Sequence, residues 1–184
     1  MWKEYLYPQI KRMKIENKKV ITLNYSLSAK EKDQALKKHI EKTTPEHPFV
    51  FIFGAGFLLE AFEKELRGKK TGDGFDFEIE AARAYGHRNE KYMMEIPIDN
   101  FRAEDGTIDL NRVSVGKTLH MVSDDKGRLE GLVTAITASH VKMDFNHALA
   151  GMDLHFSGEV LSVRDATAEE LSHGHVHGPG GHHH

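Results

Sequence analysis

Cysteine is absent from the 184 residues. Disulfide scaffolds, thiolate zinc sites and thiol catalysis are therefore excluded, and the composition suits a reducing compartment. Neither sign of charge dominates: 25 Lys and Arg stand against 28 Asp and Glu, a formal net charge of −3. That leaves no basic field for a nucleic acid partner. No apolar run approaches the roughly 18 residues that span a bilayer, so no membrane partner is expected. The opening MWKEYLYPQIKRMK lacks a continuous apolar stretch and a small-residue cleavage site. A cytoplasmic chain is expected in place of one exported through a signal peptide.

Several catalytic motifs are missing too. There is no GxxxxGK[ST], no GxSxG and no HExxH, which removes the phosphate loop, the nucleophile elbow and the zinc helix. Gly54-Ala55-Gly56 stands between a strand pattern and a helix pattern, but the third glycine of a dinucleotide fingerprint would fall on Leu59. His120, His140, His147 and His155 are isolated, and each reads as a satisfied structural histidine.

What is present is ordinary globular usage, 39% hydrophobic and 29% charged, enough for one domain or two small ones. Residues 1–18 are basic and aromatic without periodicity and read as a loosely held arm, with Trp2, Tyr5 and Tyr7 on the domain surface. VITLNYSL (20–27) alternates as a half-buried strand. SAKEKDQALKKHIEKT (28–43) has helical propensity and a capping-box pattern, or is a solvated charged excursion. PFVFIF (48–53) is a buried strand, and FLLEAFEKELRG (57–68) carries Leu58, Phe62 and Leu66 on one helical face with Gly68 as its stop. GDGFDFEIEA (72–81) alternates Phe75, Phe77 and Ile79 against acids. Residues 89–146 read as a separate β-rich unit with three strand signals and a DDKG turn, and LHFSGEVLSV (154–163) is a last strand. One strong helix of about a dozen residues in a mostly β chain gives an α+β plan.

Histidine is the anomaly. Of 13 in the chain, six fall in the last twelve residues, HGHVHGPGGHHH. Neutral imidazoles bind Ni2+, Zn2+ or Cu2+. His173, His175 and His177 alternate in an expected extended stretch, and His182, His183 and His184 complete a second cluster. A uniform six-histidine tag would not be interrupted in this way. Ligands without a rigid supporting shell suit capture or carriage of metal more than catalysis. The remaining feature is an aromatic and aliphatic set: Tyr25, Phe49, Phe51, Phe53, Leu58, Leu59, Phe62, Tyr85 and Phe156. On periodicity alone it is a plain hydrophobic core.

Several segments in order change that balance. They are Gly54-x-Gly56-x-Leu58-Leu59, Thr71-Gly72-Asp73 with Phe75, Ala84-Tyr85-Gly86, Ile96-Pro97 and Asp144-Phe145-Asn146-His147-x-Leu149-Ala150-Gly151. Arg164-x-Ala166-Thr167-x-Glu169-Glu170-Leu171 then leads into the histidine run. Over about residues 19–178 the chain resembles the SlyD branch of the FKBP-type peptidyl-prolyl isomerases.

That resemblance implies an antiparallel half-barrel around one short helix, residues 19–88 with 147–171. It also implies an insert-in-flap chaperone domain at 89–146 and a metal-binding tail at 172–184. Tyr25, Glu41, Leu59, Tyr85 and Phe156 would be catalytic, Leu59 through its backbone N–H and Tyr85 through its hydroxyl. Ile40, Phe49, Phe51, Leu58, Phe62 and Leu149 would bind the prolyl substrate, and no cofactor would be required. Met93, Met94, Ile96 and Phe101 would hold unfolded polypeptide if exposed in a groove; alternatively they fill the insert's own core. The implied partners are unfolded or proline-containing polypeptides and metalloenzyme maturation proteins, for a monomer.

Three positions depart from the family pattern: Glu41 where Asp is usual, Ala61 where Gly is common, and a longer charged stretch at 28–39. Phe62 stands where relatives carry Trp or Leu. Rival readings are a holdase that has lost catalysis and a nickel carrier using the isomerase fold as a scaffold.

Overall fold

The computed structural model describes residues 13–31, 36–103, 106–108, 113–122 and 127–176. In chain order the elements are β1 (Lys19–Glu31), β2 (Lys38–Lys42), β3 (Phe49–Ile52), α1 (Glu60–Leu66), β4 (Gly74–Ile79), β5 (Met93–Pro97) and β6 (Thr118–Val122). They continue with β7 (Arg128–Ile136), β8 (His140–Asp144), β9 (Met152–Asp165) and α2 (Ala168–His173). Among the described residues no helix is long and apolar enough to cross a membrane. The chain divides into two compact units, one reaching to Ala84 and resuming at Gly151, the other Tyr85–Ala150. The division falls four residues outside the 89–146 expected from composition at each end.

The first unit is built on one antiparallel sheet ordered β2-β1-β9-β4, with β3 pairing the N-terminal half of β1. β1 and β9 pair over the whole of β1, from Lys19↔Asp165 to Glu31↔Met152. Ile21, Leu23, Leu27 and Ala29 alternate into the core from β1, as a strand with one buried face requires. On β9 the inward residues run Leu154, Phe156, Val160 and then Val163. The change of phase is a bulge: Thr22 faces Ser162 and Leu23 faces Val160, which leaves Leu161 as the extra residue. Gly158 has no side chain because there is no room for one. A Cβ there would lie 2.0 Å from the Asn24 carbonyl oxygen and 2.8 Å from the Phe75 ring.

Three expectations are corrected here. The stretch 28–43 is not helical where described: Ser28–Glu31 extend β1 along β9 and Lys38–Lys42 form β2 along β1, because strand pairing overrides local helix propensity. The helix of 57–68 shortens to seven residues, with Leu58 and Leu59 in the approach to it. Residues 13–18 are no loose arm. Ile15 is 1% exposed; its N–H donates to the Lys69 carbonyl at 2.8 Å and its carbonyl accepts from Gly68 N–H at 2.9 Å. Trp2, Tyr5 and Tyr7 lie outside the described residues.

The second unit is a four-stranded antiparallel sheet ordered β5-β8-β7-β6. Its core is small: Ile96, Val113, Val133, Val141 and Met143, with Phe101, Leu119, Met121 and Phe145 packed at its margin. Gly131 makes space in it, since a Cβ there would lie 2.6 Å from the Phe145 ring and 2.7 Å from Met143 Cε. The base of the unit is tied by polar contacts between its first and last segments. Arg88 pairs with buried Asp144. Asn89 N–H donates to Asn146 Oδ1 at 2.8 Å, and Asn146 Nδ2 donates back to the Asn89 carbonyl at 3.1 Å.

Candidate active site

Register places the aromatic side chains of the first unit in rows. Phe156 on β9 lies opposite Leu27 on β1 and Phe77 on β4. One row on, Tyr25 and Phe75 lie either side of Gly158. β3 adds Phe51 opposite Ile21 and Phe49 opposite Leu23. Helix α1 supplies Phe62, whose ring centroid lies 4.8 Å from Phe156, 5.8 Å from Phe77 and 6.3 Å from Phe51. Tyr25 closes the chain of rings, edge-on to Phe49 at 5.6 Å and tilted to Phe156 at 5.9 Å. These are the edge-on and tilted arrangements that the aromatic quadrupole favours.

The polar group at this surface is placed by a strand irregularity. Leu27 faces Glu41 and Ser28 faces His39, so Ile40 is the extra residue of a bulge in β2 and Glu41 emerges on the Tyr25 side. The Tyr25 hydroxyl donates a hydrogen bond to Glu41 Oε1. An aromatic surface thus carries a carboxylate hydrogen-bonded to a phenol.

The approach to α1 is an irregular loop shaped by two glycines in the left-handed region, Gly54 at φ 78° and Gly56 at φ 83°. Gly54 N–H donates to Glu63 on the helix at 2.8 Å. Leu58 and Leu59 are half-buried there. Leu59 is the residue immediately before the helix, and its carbonyl accepts from Glu63 N–H at 3.1 Å. Its own amide is one of those that a helix cannot satisfy internally.

The structure therefore brings together Tyr25, Ile40, Glu41, Phe49, Phe51, Phe62 and Phe156 in one unit, and adds Phe77. Phe77 was legible as an inward strand residue, but nothing in the sequence alone tied it to Phe62 and Phe156. Phe53 separates from the set. It is fully buried, with the Arg67 guanidinium 4.8 Å above its ring.

Tyr85 and Leu149 belong to the other unit, where Tyr85 stacks on His147 with ring centroids 3.6 Å apart. Loss of water around the His147 imidazole holds its pKa below the ordinary value. Three further histidines have partners: His120 with Glu130, His140 with Ser139 and His155 with Asp76.

Of the residues expected to hold polypeptide, Met93 and Met94 stand 51% and 50% exposed on β5, an edge strand. Ile96 is part of the second unit's core and Phe101 is packed against it. Phe101 also lines, with Val113, Leu119 and Met121, a cleft of about 730 Å³.

The expected extended histidine run is corrected at its start, because His173 is the last residue of α2 and Gly174 terminates that helix at φ 73°. The exposed rings of His173 and His175 lie 5.7 Å apart, and His175 Nδ1 lies 3.1 Å from the His173 carbonyl oxygen. Among the described residues no three potential ligands converge on a point. His177, His182, His183 and His184 lie outside the described residues.

Residues 11–101 match the family model for FKBP-type peptidyl-prolyl cis-trans isomerase. Over 169 residues the chain is 37% identical to the FKBP-type peptidyl-prolyl cis-trans isomerase SlyD of Aeromonas hydrophila, covering 92% of this chain and 74% of that protein. The proteins of the same name from Yersinia pestis and Escherichia coli K12 are 36% and 35% identical. Each alignment spans 90% of this chain and 79% of the relative. With an aromatic-faced antiparallel sheet accompanied by two short helices, and SlyD relatives aligned along about nine-tenths of its length, the chain belongs to the FKBP-type peptidyl-prolyl cis-trans isomerases.

Proposed function

We propose that this isomerase serves unfolded chains in two parts: the Tyr85–Ala150 unit holds apolar segments of a client, and the aromatic surface of the other unit turns its X–Pro bonds. Rotation about X–Pro must break amide resonance, a barrier of about 18–20 kcal/mol. No covalent bond is cleaved and no proton must move, so neither a nucleophile nor a cofactor is called for. At mid-rotation the amide has lost conjugation and much of its polarity. A dry aromatic wall binds that form better than the planar ground states, and this difference is the catalysis.

In this reading Phe49, Phe51, Phe62 and Phe156 grip the pyrrolidine ring beside Tyr25, with Ile40 and Leu58 at the margins. The Leu59 N–H holds a flanking substrate carbonyl, and the family resemblance gives the Tyr85 hydroxyl and Leu149 a part in binding as well. Glu41 fixes the Tyr25 hydroxyl. The observation that carries the catalytic half is the ring-to-ring continuity from Tyr25 through Phe156 to Phe62.

The holding half is supported by Met93 and Met94, two adaptable side chains half exposed on an edge strand that also offers free backbone groups. Ile96 and Phe101 would act there as the floor beneath the client. The tail is proposed to take up Ni2+, or Zn2+ or Cu2+, as cargo. His173 and His175 would supply two imidazoles, and His177 and His182–His184 the remainder. Metalloenzyme maturation proteins would receive the metal from a cytoplasmic, monomeric donor.

The decisive test is a refolding assay limited by proline isomerisation, run beside an aggregation assay. Tyr85→Phe and Phe156→Leu (which keeps most of the buried volume) lose refolding rate at least fivefold while still suppressing aggregation. Deleting residues 173–184 abolishes tight nickel uptake and leaves the refolding rate unchanged. Loss of both activities in the point variants, or of isomerisation in the truncation, would contradict the division of labour.

A further inference from the structure

The charge pattern of β2 conflicts with its place in the sheet. The strand reads Lys38-His39-Ile40-Glu41-Lys42, with one apolar residue. Its register with β1 runs Ala29↔Lys38 and Ser28↔His39 before the bulge. Continued unbroken, that register would set Ile40 opposite Leu27 and Glu41 opposite Ser26. The apolar side chain would then face buried Leu27, and the carboxylate would join the polar side of the sheet with Ser26, Ser157 and Asp76. The bulge overturns this for the charge, because Glu41 stands opposite Leu27. A shift of one residue sends a side chain to the other face, and bulges beside functional surfaces re-aim side chains in this way. Burial does not account for the outcome, since Glu41 is exposed and Ile40 only half-buried.

The result is a carboxylate on the aromatic side, docked through Oε1 on the Tyr25 hydroxyl. The Tyr25 ring is held in turn against Phe49 and Phe156. Among the described residues no lysine, arginine or histidine forms an ion pair with Glu41. Lys38, opposite Ala29, shares its side of the sheet without pairing with it, and Lys42 lies opposite Ser26 on the other side.

We propose that Glu41 is a specificity-determining residue: its carboxylate selects prolyl substrates that carry a lysine or arginine within two residues of the proline. This rests on the reading above in which the aromatic surface holds the pyrrolidine ring beside Tyr25. The Tyr25 hydroxyl occupies one carboxylate oxygen, and the other accepts a charge-assisted hydrogen bond from the substrate's ammonium or guanidinium group. A carboxylate held in place beforehand has less side-chain freedom to lose when the pair forms. The alkyl stem of the basic residue lies along the aromatic surface while its head reaches the acid. The pair forms equally with planar and twisted substrate, so it lowers KM and leaves kcat alone.

The full chain is assayed on short peptides with one proline, in which each of the two residues before and after it is in turn Lys, Gln or Glu. The expected order is Lys over Gln over Glu at one or more of these positions, by about threefold in kcat/KM per step, the scale of an exposed ion pair. KM carries the difference. The order flattens at about 1 M salt, where charges act over only about 3 Å. It flattens as well in Glu41→Gln, which keeps an acceptor for Tyr25 and removes the charge. Each comparison is a ratio between peptides in one protein, so a general loss of activity in the variant does not obscure it.

Equal turnover of the three peptides at all four positions overturns the proposal. An order that persists in Glu41→Gln, or at high salt, overturns it too. A parent protein that turns over none of the peptides overturns the reading of the aromatic surface on which the proposal rests, a result distinct from the others.

Discussion

The imidazole of His147 is held neutral by loss of water around it, and its pKa is lowered. The Leu149 N–H on Nδ1 acts in the same direction, since a proton there would remove the acceptor. In the unfolded chain the same group titrates near 6.5. Below that value the unfolded state takes up the proton first, so stability from the neutral ring is present above about pH 6.5. It is lost as pH falls through the lower folded value. A histidine titration followed by NMR should give His147 a midpoint under 6.5, with the Leu149 amide shift moving at the same midpoint. A midpoint at or above 6.5 contradicts the assignment.

At this scale much of the site was legible. Alternation marked Tyr25, Phe49, Phe51 and Phe156, and helical spacing marked Phe62. The stack of Tyr85 on His147 was not, because it joins residues at opposite ends of the inserted unit and no local periodicity encodes such a pair.

Among the elements, strand pairing prevailed over local propensity. The charged stretch after Ser28 has good helix formers, yet Ala29 is buried opposite Leu154 and continues the alternation of Leu27. A strand whose partner lies more than a hundred residues away has no local signature.

Helix α2 had one that went unread. Thr167 and Glu170 form a complete capping box, Glu170 N–H donating to the Thr167 hydroxyl at 3.1 Å and Thr167 N–H to Glu170 Oε2 at 2.9 Å. The same carboxylate is 2% exposed and takes a bidentate pair from Arg164 at 2.7 and 2.8 Å. The pair raises the Arg164 pKa. Glu170→Ala removes cap and ion pair together and should destabilise the first unit by about 2 kcal/mol. Hydrogen exchange at the α2 amides is the measurement. Unchanged protection would show that the carboxylate does not hold the helix.

For the molecule as a whole, the two-unit division makes a strong prediction. Each unit has its own sheet and its own buried residues, so replacing residues 89–146 with a short glycine-rich loop should leave the first unit folded with dispersed methyl resonances. Turnover of a short proline peptide should persist, while suppression of aggregation disappears. A chain that fails to fold without the insert would show that the two cores are interdependent. The fold class and the existence of the insert were visible in the sequence, because strand signals without intervening helices mark a change of architecture. Its limits were not, since the residues at the crossings, around Tyr85 and Ala150, carry no compositional break.

The order of strands has a consequence for synthesis. β9, the last strand of its sheet to leave the ribosome, lies between β1 and β4, so the larger sheet has no centre until residue 165 has emerged. The inserted unit is contiguous in the chain and is complete while its host still waits for that strand. A polypeptide made from its N-terminus therefore finishes the guest before the house around it can close.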